Sequence, residues 1–224
     1  FLGQGLEDVA ISRPNVKWGI PLPWDETQTT YVWIEALCNY ISALGYPDGE
    51  NFKKFWPPEV HLIGKDIIRF HCVIWPALLQ AVGLPWPKKV FAHGFFTIDG
   101  QKISKSLGNA IDPNDLVTKF GSDAVRYFLL REIPFGEDGD FAISKLEARY
   151  EGDLANGLGN LFSRVATLIA SELQGVLPDL PESPKKFEEV DELTQEFKFH
   201  EALGKIWEEV AWANKYIDEA KPWE

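Results

Sequence analysis

The 224-residue chain contains no methionine, although it carries nine tryptophans. Its two cysteines, Cys38 and Cys72, lie far apart and outside any C-x-x-C pattern. That excludes a zinc ribbon within the segment and gives no reason to infer an oxidising compartment. No run approaches roughly eighteen apolar residues without a charge, so no membrane span is expected. The chain lacks an initiator and a signal peptide; it opens on Phe1 within ordinary-looking sequence, and we expect an internal piece of a longer polypeptide. Internal repeats are absent as well. What remains is globular: 45% hydrophobic and 25% charged residues exclude wholesale disorder. The length suits one large domain, or one medium domain with a helical appendix.

Basic charge is scarce, with 22 Lys and Arg against 34 Asp and Glu and a net charge of -12. That argues against non-specific binding to phosphate backbones. The distribution is uneven, however. Residues 88–131 carry seven basic and four acidic side chains, whereas residues 182–224 carry twelve acidic and six basic. A polyanion would have to be met by a local patch.

The first 130 or so residues alternate strand-like and helix-like runs. Thr29–Ile34 is β-branched and aromatic, and Glu35–Leu44 turns helical. Val60–Ile63 is a short buried-strand run ending at Gly64-Lys65-Asp66, and Ile67–Val82 is an apolar helix closed by Gly83. Lys89–Ile98 reads as a strand running into Asp99-Gly100. This order predicts a parallel sheet with crossover helices. Ligands of such sheets sit outside the strands' carboxyl ends, here Trp33, Gly64 to Asp66 and the segment after Phe95. Beyond residue 143 the pattern is helical. Ser144-x-x-Glu147 predicts a capping box, and Leu154, Leu158, Leu161, Phe162, Val165, Leu168 and Ile169 form one stripe. Gly175 ends that run, Pro178, Pro181 and Pro184 mark a linker, and a last helix is predicted from Leu193 to Ala220, before Pro222.

The most specific string is Lys102-Ile103-Ser104-Lys105-Ser106, followed by Leu107-Gly108-Asn109. Two lysines three apart, interleaved with serines after a strand and a tight turn, offer cations, hydroxyls and free amides to phosphate oxygens. A solvated surface loop would carry the same residue types. A leaving pyrophosphate gains charge in the transition state, so a mobile cationic loop would favour nucleotidyl transfer.

This string resembles the K-M-S-K-S signature of class I aminoacyl-tRNA synthetases. Three further strings look like the methionyl-tRNA synthetases: Arg13-x4-Trp18-Gly19-Ile20-Pro21, Tyr31-Val32-Trp33-Ile34-Glu35-Ala36-Leu37-x-Asn39-Tyr40, and His61-Leu62-Ile63-Gly64-Lys65-Asp66-Ile67-x-x-Phe70-His71-x3-Trp75-Pro76. The resemblance runs from about Arg13 to Trp223. It implies a methionine side-chain pocket from Trp33, Ala36, Leu37, Tyr40, Ile67 and His71, with Arg13 near the bound amino acid. An unbranched thioether suits such an apolar, aromatic-lined slot, with weak hydrogen bonding to sulfur from Tyr40 or His71. It implies ATP contacts from Asp66 at the ribose, from the His93–Phe96 strand at adenine, and from Ser104 and Lys105 in the loop. Lys105 would be essential for adenylate formation, assisted by Lys102. A helix-capping role for Asp66 is a compatible alternative. Asn156-x3-Asn160-x3-Arg164 spaces polar side chains on one helix face. The resemblance implies that Asn160 and Arg164 reach the anticodon while Trp223 stacks on one of its bases.

The chain departs from the family in lacking the H-I-G-H signature; its histidines are His61, His71, His93 and His200. In the family that signature, and an insertion with a zinc knuckle, precede the point where this chain starts. Glu35 stands where Asp is more usual, and Ile103 replaces the usual Met. The expected fold is therefore α/β, half of a Rossmann-like nucleotide-binding domain (1–110 with the lysine–serine loop), a connecting region (111–143), and a partial α-helical anticodon-binding domain (144–224). The expected activity is methionine–tRNA ligation with ATP and Mg2+, on tRNA(Met), in the cytoplasm, with no metal ligand in this segment. The chain, a fragment or one subunit of a split enzyme, would need the missing amino-terminal half and be inactive alone. Two alternatives stay open: another class I synthetase, or a non-catalytic tRNA-binding fragment.

Overall fold

The computed structural model describes residues 3, 5, 8–14, 16, 18–98, 100–103, 108–177, 179 and 187–223. The chain divides into two compact units, Phe1–His93 and Gly94–Glu224.

The first unit opens with an antiparallel sheet of β1 (Ser12–Pro14), β2 (Pro21–Leu22) and β3 (Asp25–Thr30), ordered β1-β3-β2. Strand β3 has the sequence DETQTT, with no apolar alternation to betray it. Polar side chains hold it instead: the Asp25 carboxylate accepts from the Thr27 amide and hydroxyl and from Gln28 Nε2. The expected strand Thr29–Ile34 is corrected here. The sheet ends at Thr30, and α1 (Val32–Ser42) begins two residues later. Leu37 and Ile41, one helical turn apart, are buried with Trp75 and Leu79, so the helical phase of the apolar residues outweighs the β-branching of Val32 and Ile34.

After the short α2 (Glu50–Phe55), β4 (His61–Gly64) pairs in parallel with β5 (Val90–His93), His61 against Val90 and Gly64 against His93. The crossover is helical, as expected, but not one regular helix. A 3-10 turn at Lys65–Ile67 leads to a π-helical stretch at Phe70–Ile74 and then to α3 (Trp75–Ala81). Pro76 cannot donate to the Cys72 carbonyl, and its ring crowds that carbonyl in a regular helix; a wider turn just before it relieves the clash.

The second unit contains β6 (Phe96–Ile98), β7 (Gln101–Lys102) and β8 (Gly139–Phe141), ordered β7-β6-β8 with β6 and β8 parallel. The expected single strand Lys89–Ile98 is thus two strands, broken at Gly94-Phe95. The break has a steric cause: a Cβ on Gly94 would overlap the Glu137 carbonyl, so the backbones approach there more closely than any side chain permits. Helix α4 (Pro113–Phe120) is capped by Asp112, which accepts from the Asn114 amide, and Gly121 at φ 84° turns the chain into α5 (Ser122–Arg131). These helices, β8 and α6 (Ile143–Arg149) enclose a core of Leu116, Val125, Phe128, Phe141 and Leu146.

The predicted capping box is corrected as well. Helix α6 starts at Ile143 behind Ala142, whose carbonyl takes the first helical bonds, so Ser144 lies inside the helix and not at its cap. A π-helical stretch, Tyr150–Gly159, follows and leads into α7 (Asn160–Glu172). Its wider turn breaks the 3.6-residue phase on which the predicted leucine stripe depended. Leu158 and Phe162 are exposed, and no residue of α7 is buried. The last predicted helix is two: α8 (Glu188–Gln195) and α9 (Phe199–Ala220), separated at Phe197 with φ 63°. The end before Pro222 is as expected, with Lys221 in a left-handed cap. Pro178, Pro181 and Pro184 of the predicted linker lie outside the described residues.

Candidate functional site

The aromatic cluster of the first unit gathers most of the residues expected to hold an amino-acid side chain. Helix α1 supplies Trp33, Ala36, Leu37 and Tyr40; the crossover supplies Ile67 and His71. Tyr40 Oη lies 2.9 Å from His71 Nε2, and His71 Nδ1 lies 3.0 Å from the Ile67 carbonyl. A carbonyl only accepts, so Nδ1 carries a proton. In the neutral ring Nε2 is therefore an acceptor, and the Tyr40 hydroxyl donates to it. Burial pushes the Tyr40 phenol up from its ordinary value. Trp33 stacks on Phe70 at 4.4 Å with the rings 11° from parallel, forming a flat apolar wall. Phe70 was not among the expected pocket residues. Leu37 is only 3% exposed and packs in the core with Trp75 and Leu79, which makes it a support for this wall.

His61, on β4, is the other residue the sequence reading left without a role. Its ring lies 4.2 Å from that of Tyr40, and its Nε2 accepts from Trp75 Nε1 at 3.2 Å. Burial first, and then the neighbouring His71, pull its pKa down from 6.5 to about 4. A signal was available: a histidine inside an apolar strand run needs a buried partner.

Arg13, on β1, lines a cleft of about 800 Å³ with Trp18, Ile20, Thr29, Val32 and Glu35 among its walls. Its guanidinium sits 3.9 Å from the Tyr31 ring centroid, which holds the cation over an aromatic face. Val32 and Glu35 belong to the same helical turn as Trp33, so the cleft opens beside the helix that carries the pocket.

The parallel pairing of Gly64 with His93 brings two expected nucleotide contacts to neighbouring strand ends. Asp66 is exposed in the 3-10 turn two residues past β4, and His93 is half-buried at the end of β5. Gly64 occupies the cap position of that turn and Asp66 lies inside it, so Asp66 is not the capping residue expected before Ile67. Such carboxyl ends are where ligands of parallel sheets bind.

In the second unit Phe96 begins β6 and Lys102 ends β7, its backbone opposite Thr97. Ser104 and Lys105 lie outside the described residues. The hairpin leading to them is held by β8. Asp140 Oδ1 accepts from the Thr97 hydroxyl at 2.7 Å and from the Gly100 amide at 2.8 Å. Asp138 accepts from the Phe95 amide at 2.7 Å. The Gly100 and then the Thr97 hydrogen bond hold the Asp140 carboxyl below its usual value. Neither carboxylate was foreseen, although two aspartates separated by one residue on an extended strand share a side.

Arg164 and Trp223, both expected to contact the anticodon, lie close together. The guanidinium lies 5.9 Å from the indole centroid, and its Nη2 is 2.5 Å from Asp218 Oδ1 on α9. They line a cleft of about 350 Å³ with Ser163, Thr167, Ser171 and Glu172. Trp223 is 54% exposed, leaving much of its surface free to stack. Asn160 is exposed one turn before Arg164; Asn156 falls in the π-helical stretch, outside that regular spacing.

The family model for class I (M) tRNA synthetases matches residues 1–166. The chain belongs to the class I (M) tRNA synthetases. This synthetase chain is 51% identical over its whole length to the methionine–tRNA ligase of Caldanaerobacter subterraneus and 50% identical to that of Thermotoga maritima. It spans 37% of the length of each. The crystal structure of Mycobacterium tuberculosis methionyl-tRNA synthetase bound by methionyl-adenylate superposes with a TM-score of 0.87 at 41% identity, covering 99% of this chain and 46% of that one. The α/β portion followed by helices agrees with the expected class. Among the described residues, no group of three or more His, Cys, Asp or Glu side chains could hold a metal ion. Nor is any described helix long and apolar enough to cross a membrane.

Proposed function

We propose that this chain is part of a cytoplasmic methionine–tRNA ligase, which activates methionine with Mg2+-bound ATP and transfers it to tRNA(Met). The observation that carries the reading is the Tyr40–His71 pair beside the stacked Trp33 and Phe70. An apolar aromatic wall with one polar pair suits an unbranched thioether better than a branched aliphatic or a charged side chain.

In the first step a methionine carboxylate oxygen bonds to the α-phosphorus of ATP as the bond to the β-phosphate oxygen breaks. Pyrophosphate leaves, and negative charge grows on it. Lys102, Ser104 and Lys105 would meet that charge, while Asp66 would accept from the ribose hydroxyls and the His93–Phe96 backbone would face adenine. Arg13 would lie near the amino acid's polar end. In the second step a terminal ribose hydroxyl of the tRNA attacks the acyl carbon and AMP leaves. Asn160, Arg164 and Trp223 would hold the anticodon. On this reading residues 1–110 serve activation, 111–143 connect, and 144–224 bind tRNA. This is a division by function, and it cuts across the compact unit Gly94–Glu224. The remainder of the active site would come from the amino-terminal half of the synthetase, in the same chain or a separate subunit.

The test is methionine-dependent ATP–pyrophosphate exchange by the complete synthetase and its Lys105→Ala variant. Methionine alone among the standard amino acids should support exchange, and the variant should lose about a hundred-fold in kcat with little change in methionine KM. Exchange supported equally by isoleucine, valine or leucine would remove the methionine assignment. A loss confined to methionine KM would remove the transition-state role of the loop.

A further inference from the structure

We infer that His61 is a positioning residue for methionine selection, holding the Tyr40 ring so that its hydroxyl is committed to His71. The inference rests on the methionine-pocket reading above. The Tyr40 hydroxyl has one proton, and His71 Nε2 takes it, because the Ile67 carbonyl fixes the proton of that imidazole on Nδ1. Neither ring then has a proton left for the substrate's sulfur, which corrects the hydrogen bond expected from Tyr40 or His71. The sulfur instead faces the Tyr40 oxygen with the electron-poor region opposite its C–S bond, a feature a methylene lacks. A thioether, polarizable and weakly polar, and a methylene of the same size differ little to an apolar wall, so this polar pair is where they can be told apart.

A phenol hydroxyl points where its ring is placed. The Tyr40 ring is braced by His61 at 4.2 Å and 45° and by Trp75 at 6.0 Å and 45°. His61 can brace only if its own ring is fixed, and Trp75 fixes it: the indole N–H can only donate, and it donates to His61 Nε2 at 3.2 Å. Both residues are buried, His61 at 6% exposure and Trp75 at 1%. The His61 and His71 rings lie 6.1 Å apart and nearly perpendicular, so a charge on the first would face the second. A neutral His61 keeps both its acceptor and the polarity of the pair, and its depressed pKa agrees with that state. Trp75, His61, Tyr40, His71 and the Ile67 carbonyl thus form one connected support, joined by hydrogen bonds at both ends and ring packing in the middle.

The complete synthetase carrying His61→Leu, His61→Gln, Trp75→Phe or Tyr40→Phe is compared by ATP–pyrophosphate exchange with methionine and with its methylene analogue norleucine. His61→Leu should raise methionine KM about ten-fold and lower the preference for methionine over norleucine by a similar factor, leaving kcat and ATP KM within about two-fold. His61→Gln, whose side-chain oxygen can still accept from Trp75, should stay within about three-fold of the parent in methionine KM. Should His61→Leu fail to fold, Trp75→Phe removes the same hydrogen bond and should shift methionine selectivity in the same direction. Unchanged methionine KM and selectivity in the folded His61 or Trp75 variant, or equal losses for methionine, ATP and kcat, overturn the positioning role. Tyr40→Phe separates the two levels. If it leaves methionine KM and selectivity untouched, the pocket reading fails; if it raises KM while His61→Leu does not, only the role of His61 fails.

Discussion

The Gly100 amide donates to Asp140 at 2.8 Å, tying β8 to the hairpin from which the lysine–serine loop springs. The same carboxylate oxygen takes the Thr97 hydroxyl, so one side chain fixes both the turn and the strand before it. A cationic loop contributes to a transition state only if its base is held in register. Asp140→Ala in the complete synthetase should therefore lower kcat for ATP–pyrophosphate exchange by about ten-fold with methionine KM nearly unchanged. Asp140→Asn, which keeps an acceptor oxygen for Gly100, should recover part of the loss. A change in methionine KM alone would show that the hairpin does not communicate with the chemistry through this contact.

At Gly94, in the break between β5 and β6, there is no room for a side chain. Its backbone lies against the Glu137 carbonyl, and a Cβ there would overlap main-chain atoms, which cannot swing aside as a side chain can. Gly94→Ala should destabilise the protein by about 1–3 kcal/mol, the range for overpacked interiors, read as a fall in the denaturation midpoint. Gly100→Ala tests a different cause. Open space surrounds that position but φ is 70°, so its cost should come from backbone strain and be smaller. An innocuous Gly94→Ala would mean that the backbones separate easily at this point.

The sequence made the helical crossover and the parallel pairing of residues 61–64 with 90–93 legible, because each rests on a local apolar run. Strand β3 escaped, since DETQTT is held by Asp25 and by pairing with β1 and β2 rather than by buried alternation. The leucine stripe and the continuous carboxy-terminal helix failed for a common reason. Periodicity assumes a regular 3.6-residue turn, and the π-helical stretch at Tyr150–Gly159 and the positive φ of Phe197 each break it. His61, Phe70, Asp138, Asp140 and Asp218 stayed hidden because their roles depend on partners distant in sequence. The family resemblance did not supply them either: Asp138, Asp140 and Asp218 lie outside its strings, and its strings contain His61 and Phe70 without giving them a role.

His61 gives the acid side of the stability curve a definite shape. Its pKa falls from 6.5 in the unfolded chain to about 4 in the folded one, through burial and the neighbouring His71. Between those values the unfolded state binds more protons, so stability rises with pH. The contribution is fully present above about pH 6.5 and is lost progressively as pH falls towards 4. The difference in unfolding free energy between the parent and His61→Gln should therefore be level above pH 7 and shrink across that window. Urea titrations at a series of pH values measure it. Two parallel curves would mean that His61 carries no such linkage.

Trp223 offers the sharpest separation of the two chemical steps. It follows Pro222 directly, beyond the left-handed cap that ends α9, so the indole sits at the edge of the helices and is 54% exposed. Arg164 reaches over it at 5.9 Å and is itself held by Asp218 at 2.5 Å, which keeps the guanidinium oriented beside the indole face. Residues 182–224 carry twelve acidic and six basic side chains, so diffuse attraction to phosphates cannot supply binding in this region. On the proposed anticodon role, stacking would carry much of the binding, and one base on one aromatic ring contributes ~1–3 kcal/mol. Trp223→Ala in the complete synthetase should lower kcat/KM for tRNA by about ten- to over a hundred-fold while leaving tRNA-independent ATP–pyrophosphate exchange nearly untouched. Trp223→Phe, which keeps a smaller ring to stack upon, should lose less than Trp223→Ala. Equal damage to exchange and to aminoacylation would make Trp223 a folding residue, and the anticodon assignment of Asn160, Arg164 and Trp223 would fall with it.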